Sequence, residues 1–316
     1  MASIKILLTG ATGFIGTPLV QKLRASGIKV IGVTRKIVKH QDDFFLREIT
    51  PYTAWDDALK GVDVIIHTAG RVHVMNEDGK DLLEIYRDSN LRSTLNLANQ
   101  AVTSGVKRFI FISSVKVLGE KTIDGVKFSP HSPYAPVDPY SISKMEAEIG
   151  LKKIAESSNL EVIIIRPPIV YGPGVKANFL RMLKLIQLGV PLPFGDLNNK
   201  RSMVFIDNLT DFVIICIFHK NADNKIFMVS DGHDISVSTL FKKLGIYLDS
   251  RPILIPIPAS VLLFLTKLGV LKSSLPRLAE GLEVDVTKTM EILDWTPNFS
   301  VDEGLRKTVQ SYLKSK

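Results

Sequence analysis

The chain has 316 residues with 40 Lys and Arg against 32 Asp and Glu, a formal net charge of +8, and 45% apolar and 23% charged residues. At about 150 residues per domain this is two domains or one large α/β unit, and the ordinary globular composition excludes collagen, coiled coil and intrinsic disorder. The single cysteine, Cys216, excludes an intramolecular disulfide and fits a reducing compartment.

The first half alternates. Residues 4–9 are continuously apolar, as expected of a strand buried on both faces. A helix is predicted over 13–26, with Gly27 at its C-terminal cap. Strands are predicted over 29–34, 62–67, 108–113 and 161–166, with helices over 81–104 and 140–158 between them. Alternating apolar strands and helices predict an α/β fold: a Rossmann-type doubly wound parallel sheet. The dinucleotide-binding part spans 1–170. After Arg166 a cluster of Pro and Gly breaks the alternation. Residues 202–206 and 226–229 read as strands returning to the sheet, with a buried helix over 208–220 between them. A smaller C-terminal substrate-binding lobe is assigned to 171–201 and 231–316, ending in a helix from Val301.

No apolar run reaches the about 18 residues of a membrane span, and the N-terminus enters a strand directly, unlike a signal peptide. A cytoplasmic enzyme is expected. The basic residues form pairs such as Lys107-Arg108, not tracts, so the positive balance reads as a solvated surface and no nucleic-acid partner is expected. The Cys and His residues show no zinc spacing, so no metal is expected, and His67, His73, His131, His219 and His233 read as structural or exposed.

The strongest motif is Gly10-Ala11-Thr12-Gly13-Phe14-Ile15-Gly16, which follows the first strand and opens the first helix. Its glycines permit a tight turn and close backbone approach to an anion, and the helix N-terminus favours a pyrophosphate. A dinucleotide is the expected ligand. At the end of the second strand stand Thr34-Arg35-Lys36, with no carboxylate before Asp42. An acidic residue there binds the ribose hydroxyl of NAD, whereas arginine accommodates the 2′-phosphate of NADP. Either cofactor fits the motif; Arg35 leans toward NADP.

Tyr140 and Lys144 in Tyr140-Ser141-Ile142-Ser143-Lys144 share one helix face. An ammonium beside a phenol lowers the phenol's pKa from ~10, and a tuned phenol can exchange a proton with an alcohol during hydride transfer. Tyr312 and Lys316 have the same spacing, but their place at the chain's end sets them aside.

Together these motifs resemble the extended short-chain dehydrogenase/reductase superfamily, in its nucleotide-sugar epimerase/dehydratase branch. The resemblance implies catalytic roles for Tyr140, Lys144 and a hydroxyl residue in Ser113-Ser114-Val115-Lys116-Val117-Leu118-Gly119, where alignment on Gly119 selects Ser114. Leu118 replaces the family's usual tyrosine. Dehydratases of the branch carry Asp-Glu where this chain has Val115-Lys116, so dehydration is rejected.

The resemblance further implies cofactor contacts from Thr68, Ala69 and Gly70 after the third cofactor-binding strand, from Asn90, and from Pro167 and Val170 in Arg166-Pro167-Pro168-Ile169-Val170-Tyr171-Gly172-Pro173. Arg92-Ser93 depart from the Gly-Thr that usually follows the asparagine. On the substrate side it implies Asn178, Arg201 and Arg277 as contacts to a nucleotide sugar, with a UDP-sugar expected. Asp285, Leu293 and Trp295-Thr296-Pro297 echo the family's ending. The apolar stretch 258–271 is too short to span a bilayer and reads as core, with a lipid-facing patch as its other reading. The helices over 81–104 and 140–158 resemble those that pair in a homodimer.

Three activities fit: a nucleotide-sugar C4-epimerase, an NADPH-dependent 4-ketoreductase of a 4-keto-6-deoxy sugar, and a non-catalytic dinucleotide sensor. The sensor reading predicts loss of Ser114, Tyr140 or Lys144, and all three are present.

Overall fold

A computed structural model describes residues 4–35, 44–72, 81–123, 125–267 and 280–315. Among these residues, seven parallel strands form the central sheet: β1 (Lys5–Thr9), β2 (Lys29–Thr34), β3 (Phe44–Leu46), β4 (Val64–His67), β5 (Arg108–Ile112), β6 (Glu161–Arg166) and β10 (Ile226–Met228). Their order is β10-β6-β5-β4-β1-β2-β3. The direction of winding reverses between β1 and β4, which opens a crevice at their carboxyl ends. The strands lack an alternating polar face because helices cover both sides: Ile6, Leu7 and Leu8 are all fully buried.

On one face lie α1 (Gly16–Ala25) and α7 (Ile206–Phe218), packed with Phe227 and Trp295. The other face is covered by α2 (Asp56–Leu59), α4 (Ser93–Thr103) and α5 (Pro139–Glu156), around Trp55 and Phe109. The helix expected over 81–104 is instead three pieces. α3 (Leu82–Tyr86) passes through a π-helical turn, Arg87–Arg92, into α4. Such turns concentrate at functional sites, and this one carries Asn90.

One strand departs from expectation. β9 (Met203–Phe205) does not rejoin the central sheet. It pairs in parallel with β7 (Ile169–Tyr171) as a separate two-stranded sheet. Pro167 and Pro168, which cannot donate to a continuing ladder, end β6 and set β7 apart, and the place beside β6 in the central sheet is taken by β10. A second small sheet pairs β8 (Lys200–Arg201) with β11 (Ile235–Ser236). Around these sheets gather α6 (Ala177–Gln187), α8 (Val237–Tyr247), α9 (Ala259–Lys267) and α11 (Val301–Lys314), over a core that includes Tyr171, Phe194 and Phe241. α10 (Thr287–Leu293) packs toward the central sheet through Leu293.

Asp231 joins the two regions. It is buried, and its carboxylate accepts from the Tyr171 hydroxyl (2.7 Å), the Phe205 amide (2.8 Å) and the Asn208 amide group (2.7 Å). Burial raises its pKa against those donors.

Candidate active site

The glycine motif forms the floor of a groove of about 390 Å³ at the carboxyl ends of β1, β2 and β4. Gly10 has φ +70°, a conformation that favours glycine, and the Gly13 amide donates to its carbonyl at 2.8 Å. A Cβ on Gly16 would run into that same carbonyl oxygen. α1 therefore packs tight against the turn. No side chain caps its first turn, which contains no acidic residue; the Thr17 amide donates to the Gly13 carbonyl at 3.0 Å and Pro18 has no N–H, so an anion would meet the positive end of the helix and the glycine-turn backbone ahead of it. Thr12, Thr68, Ala69 and Gly70 also line the groove. The residues present thus fit a dinucleotide's phosphates.

Phe14 and Ile15 sit differently from the rest of the motif. Both are partly buried and pack against the C-terminal hydrophobic core, while the groove is lined by their neighbours. Arg35 lines the groove as expected, and the fold adds residues there that sequence reading missed, Arg47 and Glu48 among them. β3 pairs beside β2, with the Arg47 amide donating to Thr34 at 2.8 Å, and so brings Arg47 and Glu48 to the groove. The signal is faint: three residues, Phe44–Leu46, make an edge strand just ahead of a charged pair.

Asn90 is buried and holds backbone. Its Oδ1 accepts from the Arg71 amide at 2.8 Å, and its Nδ2 donates to the Arg71 carbonyl (3.0 Å) and to Ser143 Oγ (3.1 Å). It ties the segment after β4 to α5. Pro167 likewise acts through its backbone, its carbonyl accepting from Val115 at 3.0 Å.

A cavity of about 610 Å³ adjoins these elements, and Ser114, Tyr140, Val170, Asn178 and Arg201 all line it. α5 is set by a capping box in which Asp138 and Ser141 exchange hydrogen bonds, with Pro139 in its first turn. Tyr140 follows directly. Its side chain shares the cavity with Ser114, which draws the phenol's pKa down, and its ring meets Tyr86 edge-on at 6.1 Å. Ser114 Oγ accepts from the Lys116 amide (3.2 Å), capping a short 3₁₀ turn over Val115–Leu118. Ser113 points elsewhere: its hydroxyl donates to Glu148 at 2.5 Å.

The electrostatics differ from expectation. Tyr140 is pushed up to about 12, chiefly by burial; Ser114 pulls it down, and Asp138 and Tyr86 push it up. Lys144 does not lower it here, because its ammonium is engaged elsewhere. Nζ donates to the Ile112 carbonyl at 2.8 Å and lies 4.1 Å from the Phe111 ring centroid. Burial lowers Lys144 to about 7, with Glu148 opposing. A Cβ on Gly70 would lie 3.6 Å from Lys144 Nζ, so the lysine stands at the groove's edge.

Lys116 shares the cavity, held by Asp138 and by Glu120 (3.1 Å). Arg201 donates to the Glu280 carbonyl at 2.7 Å, and burial lowers its guanidinium pKa while Glu280 and Glu120 raise it. Arg277 lies outside the described residues. His67 is structural as expected: it is buried between Thr9 Oγ1 (2.6 Å) and Thr94 Oγ1 (3.0 Å), and burial lowers it to about 3. Another cavity, about 670 Å³ and lined by Tyr134, Lys152, Arg166 and Lys288, contains none of the expected catalytic, cofactor or substrate contacts. Among the described residues, no cluster of His, Cys, Asp and Glu could hold a metal and no helix is long and apolar enough to cross a membrane.

A glycine turn at the sheet's switch point, with Ser114 and Tyr140 on an adjoining cavity and Lys144 one turn further along α5, defines a Rossmann-fold protein of the short-chain dehydrogenase/reductase kind. The model of the NAD dependent epimerase/dehydratase family matches residues 6–230, and the chain belongs to that family. It is 44% identical over 314 residues to the UDP-glucose 4-epimerase of Vibrio cholerae, covering 98% of this chain and 96% of that one. It is 28% identical over 243 residues to an Escherichia coli O157:H7 N-acetyl-α-D-glucosaminyl-diphospho-ditrans,octacis-undecaprenol 4-epimerase, covering 74% and 70%. Among solved structures, MoeE5 in complex with UDP-glucose and NAD superposes with a TM-score of 0.80 at 24% identity, covering 98% of this chain and 99% of that one. The Thermotoga maritima UDP-glucose 4-epimerase with UDP-glucose gives 0.77 at 24% identity, covering 99% of both.

Proposed function

We propose that this chain is a nucleotide-sugar C4-epimerase that interconverts the C4 epimers of a UDP-hexose or UDP-N-acetylhexosamine through a 4-keto sugar. The carrying observation is that Ser114 and Tyr140 stand together on the wall of a cavity of about 610 Å³ beside the glycine groove. The 44% identity to a UDP-glucose 4-epimerase supports the same reading. In this reading the groove holds NAD, which when bound accepts a hydride and returns it. Tyr140 takes the proton from O4 and gives it back, and Ser114 holds that oxygen. Lys144 stands at the groove's edge as a donor. Arg201 and Asn178 bind the nucleotide diphosphate, with 171–201 and 231–316 forming the substrate side.

Glu48 supports NAD, since it supplies to the groove a carboxylate that the end of β2 lacks. Arg35 and Arg47 in the same groove favour the second reading, a 4-ketoreductase that consumes NADPH. One experiment separates them. Purified protein is incubated with UDP-galactose or UDP-N-acetylgalactosamine and no added cofactor, and the dinucleotide it carries is extracted and weighed by mass spectrometry. Epimerisation with NAD recovered supports the proposal. An empty site, with turnover only of a 4-keto-6-deoxy sugar nucleotide at the expense of NADPH, overturns it. A homodimer joined through α4 and α5 belongs to the same proposal; sedimentation at the 35.0 kDa monomer mass at micromolar concentration would count against it.

A further inference from the structure

Tyr140, Lys144, Glu148 and Lys152 follow one another at four-residue intervals along α5, on one face of the helix. Glu148 is fully buried, and the proposed chemistry gives it no part. Its carboxylate is nonetheless the most heavily bonded group near the site. Oε1 accepts from Ser113 Oγ (2.5 Å) and Arg166 Nε (3.1 Å). Oε2 accepts from Arg166 Nη2 (2.6 Å) and from the Tyr134 hydroxyl (2.9 Å). Arg166 is buried too, and its Nη1 donates to the Pro130 carbonyl at 3.1 Å.

Two of its partners directly precede residues at the site. Ser113 precedes Ser114 at the end of β5. Arg166 ends β6 and precedes Pro167, whose carbonyl holds Val115. We propose that Glu148 is a positioning residue for Ser114, Tyr140 and Lys144: one buried carboxylate ties the ends of β5 and β6 to α5 and supplies the counter-charge one helical turn from the Lys144 ammonium. Other ionisable groups surround the pair. Arg166 comes from β6, Tyr134 from the segment before α5, and Lys152 from α5 itself, donating to the Tyr134 hydroxyl at 3.2 Å. His67, from β4, is neutral, and Tyr86, from α3, faces Tyr140. Glu148 is the group that pulls Lys144 back toward its charged form against burial.

The test titrates Lys144 directly in the full chain labelled with ¹³C at lysine Cε, using Lys144→Arg to assign the signal. Glu148→Gln should lower the Lys144 midpoint by a pH unit or more, and Arg166→Gln, which leaves Glu148 without its balancing cation, should leave it unchanged or raise it. Glu148→Gln strands the buried Arg166; if that variant does not fold, Glu148→Gln/Arg166→Gln carries the same downward expectation. Ser113→Ala should lower kcat without moving the midpoint. An unchanged or raised midpoint in the folded Glu148 variants overturns the inference.

The kinetic arm alone rests on the epimerase reading. With UDP-galactose, the alkaline limb of the kcat profile should move to lower pH with the midpoint, while KM at pH 6 stays within about twofold. If the unmodified chain turns over no sugar nucleotide, that reading fails, and the titration still decides the role of Glu148.

Discussion

Lys144 is bonded to Ile112 and not to Tyr140: its ammonium donates 2.8 Å to the last carbonyl of β5. The phenol instead shares the cavity with the Ser114 hydroxyl. Tyr140→Phe therefore removes the proton carrier and leaves the lysine's anchor in place. We expect kcat to fall by about 10²–10⁴-fold, with the extractable dinucleotide unchanged. Turnover at near wild-type rate in that variant would remove Tyr140 from the chemistry.

Gly16 is a packing position as much as a motif letter. Its missing Cβ is what lets α1 lie against the Gly10 carbonyl. Gly16→Ala should cost about 1–3 kcal/mol through overpacking and pull the helix N-terminus off the groove. Thermal unfolding and the dinucleotide content of the purified variant measure the two effects; an alanine variant that keeps both would show the turn to be looser than drawn.

Arg201 lines the cavity beside Asn178 while anchored on the Glu280 carbonyl. If it meets a phosphate, it binds ground and transition states alike. Arg201→Ala should then raise KM for the UDP-sugar by about 10–100-fold, the worth of one charge-assisted bond, with kcat within a few-fold. A loss confined to kcat would move Arg201 from binding to positioning.

His67 makes stability depend on acid. The folded chain holds its pKa near 3, against about 6.5 when unfolded. Between those values the unfolded chain binds the extra proton, so stability falls as pH drops from about 6.5 toward 3, by up to ~1.4 kcal/mol per unit. His67→Gln should flatten that decline. Urea unfolding at several pH values from 6 to 4 gives the slopes, and identical slopes in both proteins would refute the assignment.

Much of the Rossmann half was legible because its signals are local. Buried parallel strands read as unbroken apolar runs, and β2 and β6 have the bounds that their sequences predict. The glycine turn and the Tyr140–Lys144 spacing are read the same way. What escaped depends on pairing between distant segments. Glu48 reaches the groove only because a three-residue edge strand pairs with β2. β9 reads as an ordinary apolar strand, and nothing local says that its partner is β7. The spacing of Tyr140 and Lys144 predicted a depressed phenol, but it could not show that the ammonium reaches Ile112.

The pairing of β7 with β9 has a consequence for how such a protein can change. The chain leaves the central sheet after β6, builds β7, α6, β8 and β9, returns as α7 and β10, and departs again into α8. Tyr171, Phe205, Phe241 and Leu305 meet in one core although they come from both excursions. No single cut in the gene excises the region around the cavity, and none transplants it whole onto another sheet. The cavity's shape and charge therefore change by substitution in place, at lining positions such as Lys116 and Asn178, and not by the exchange of a module.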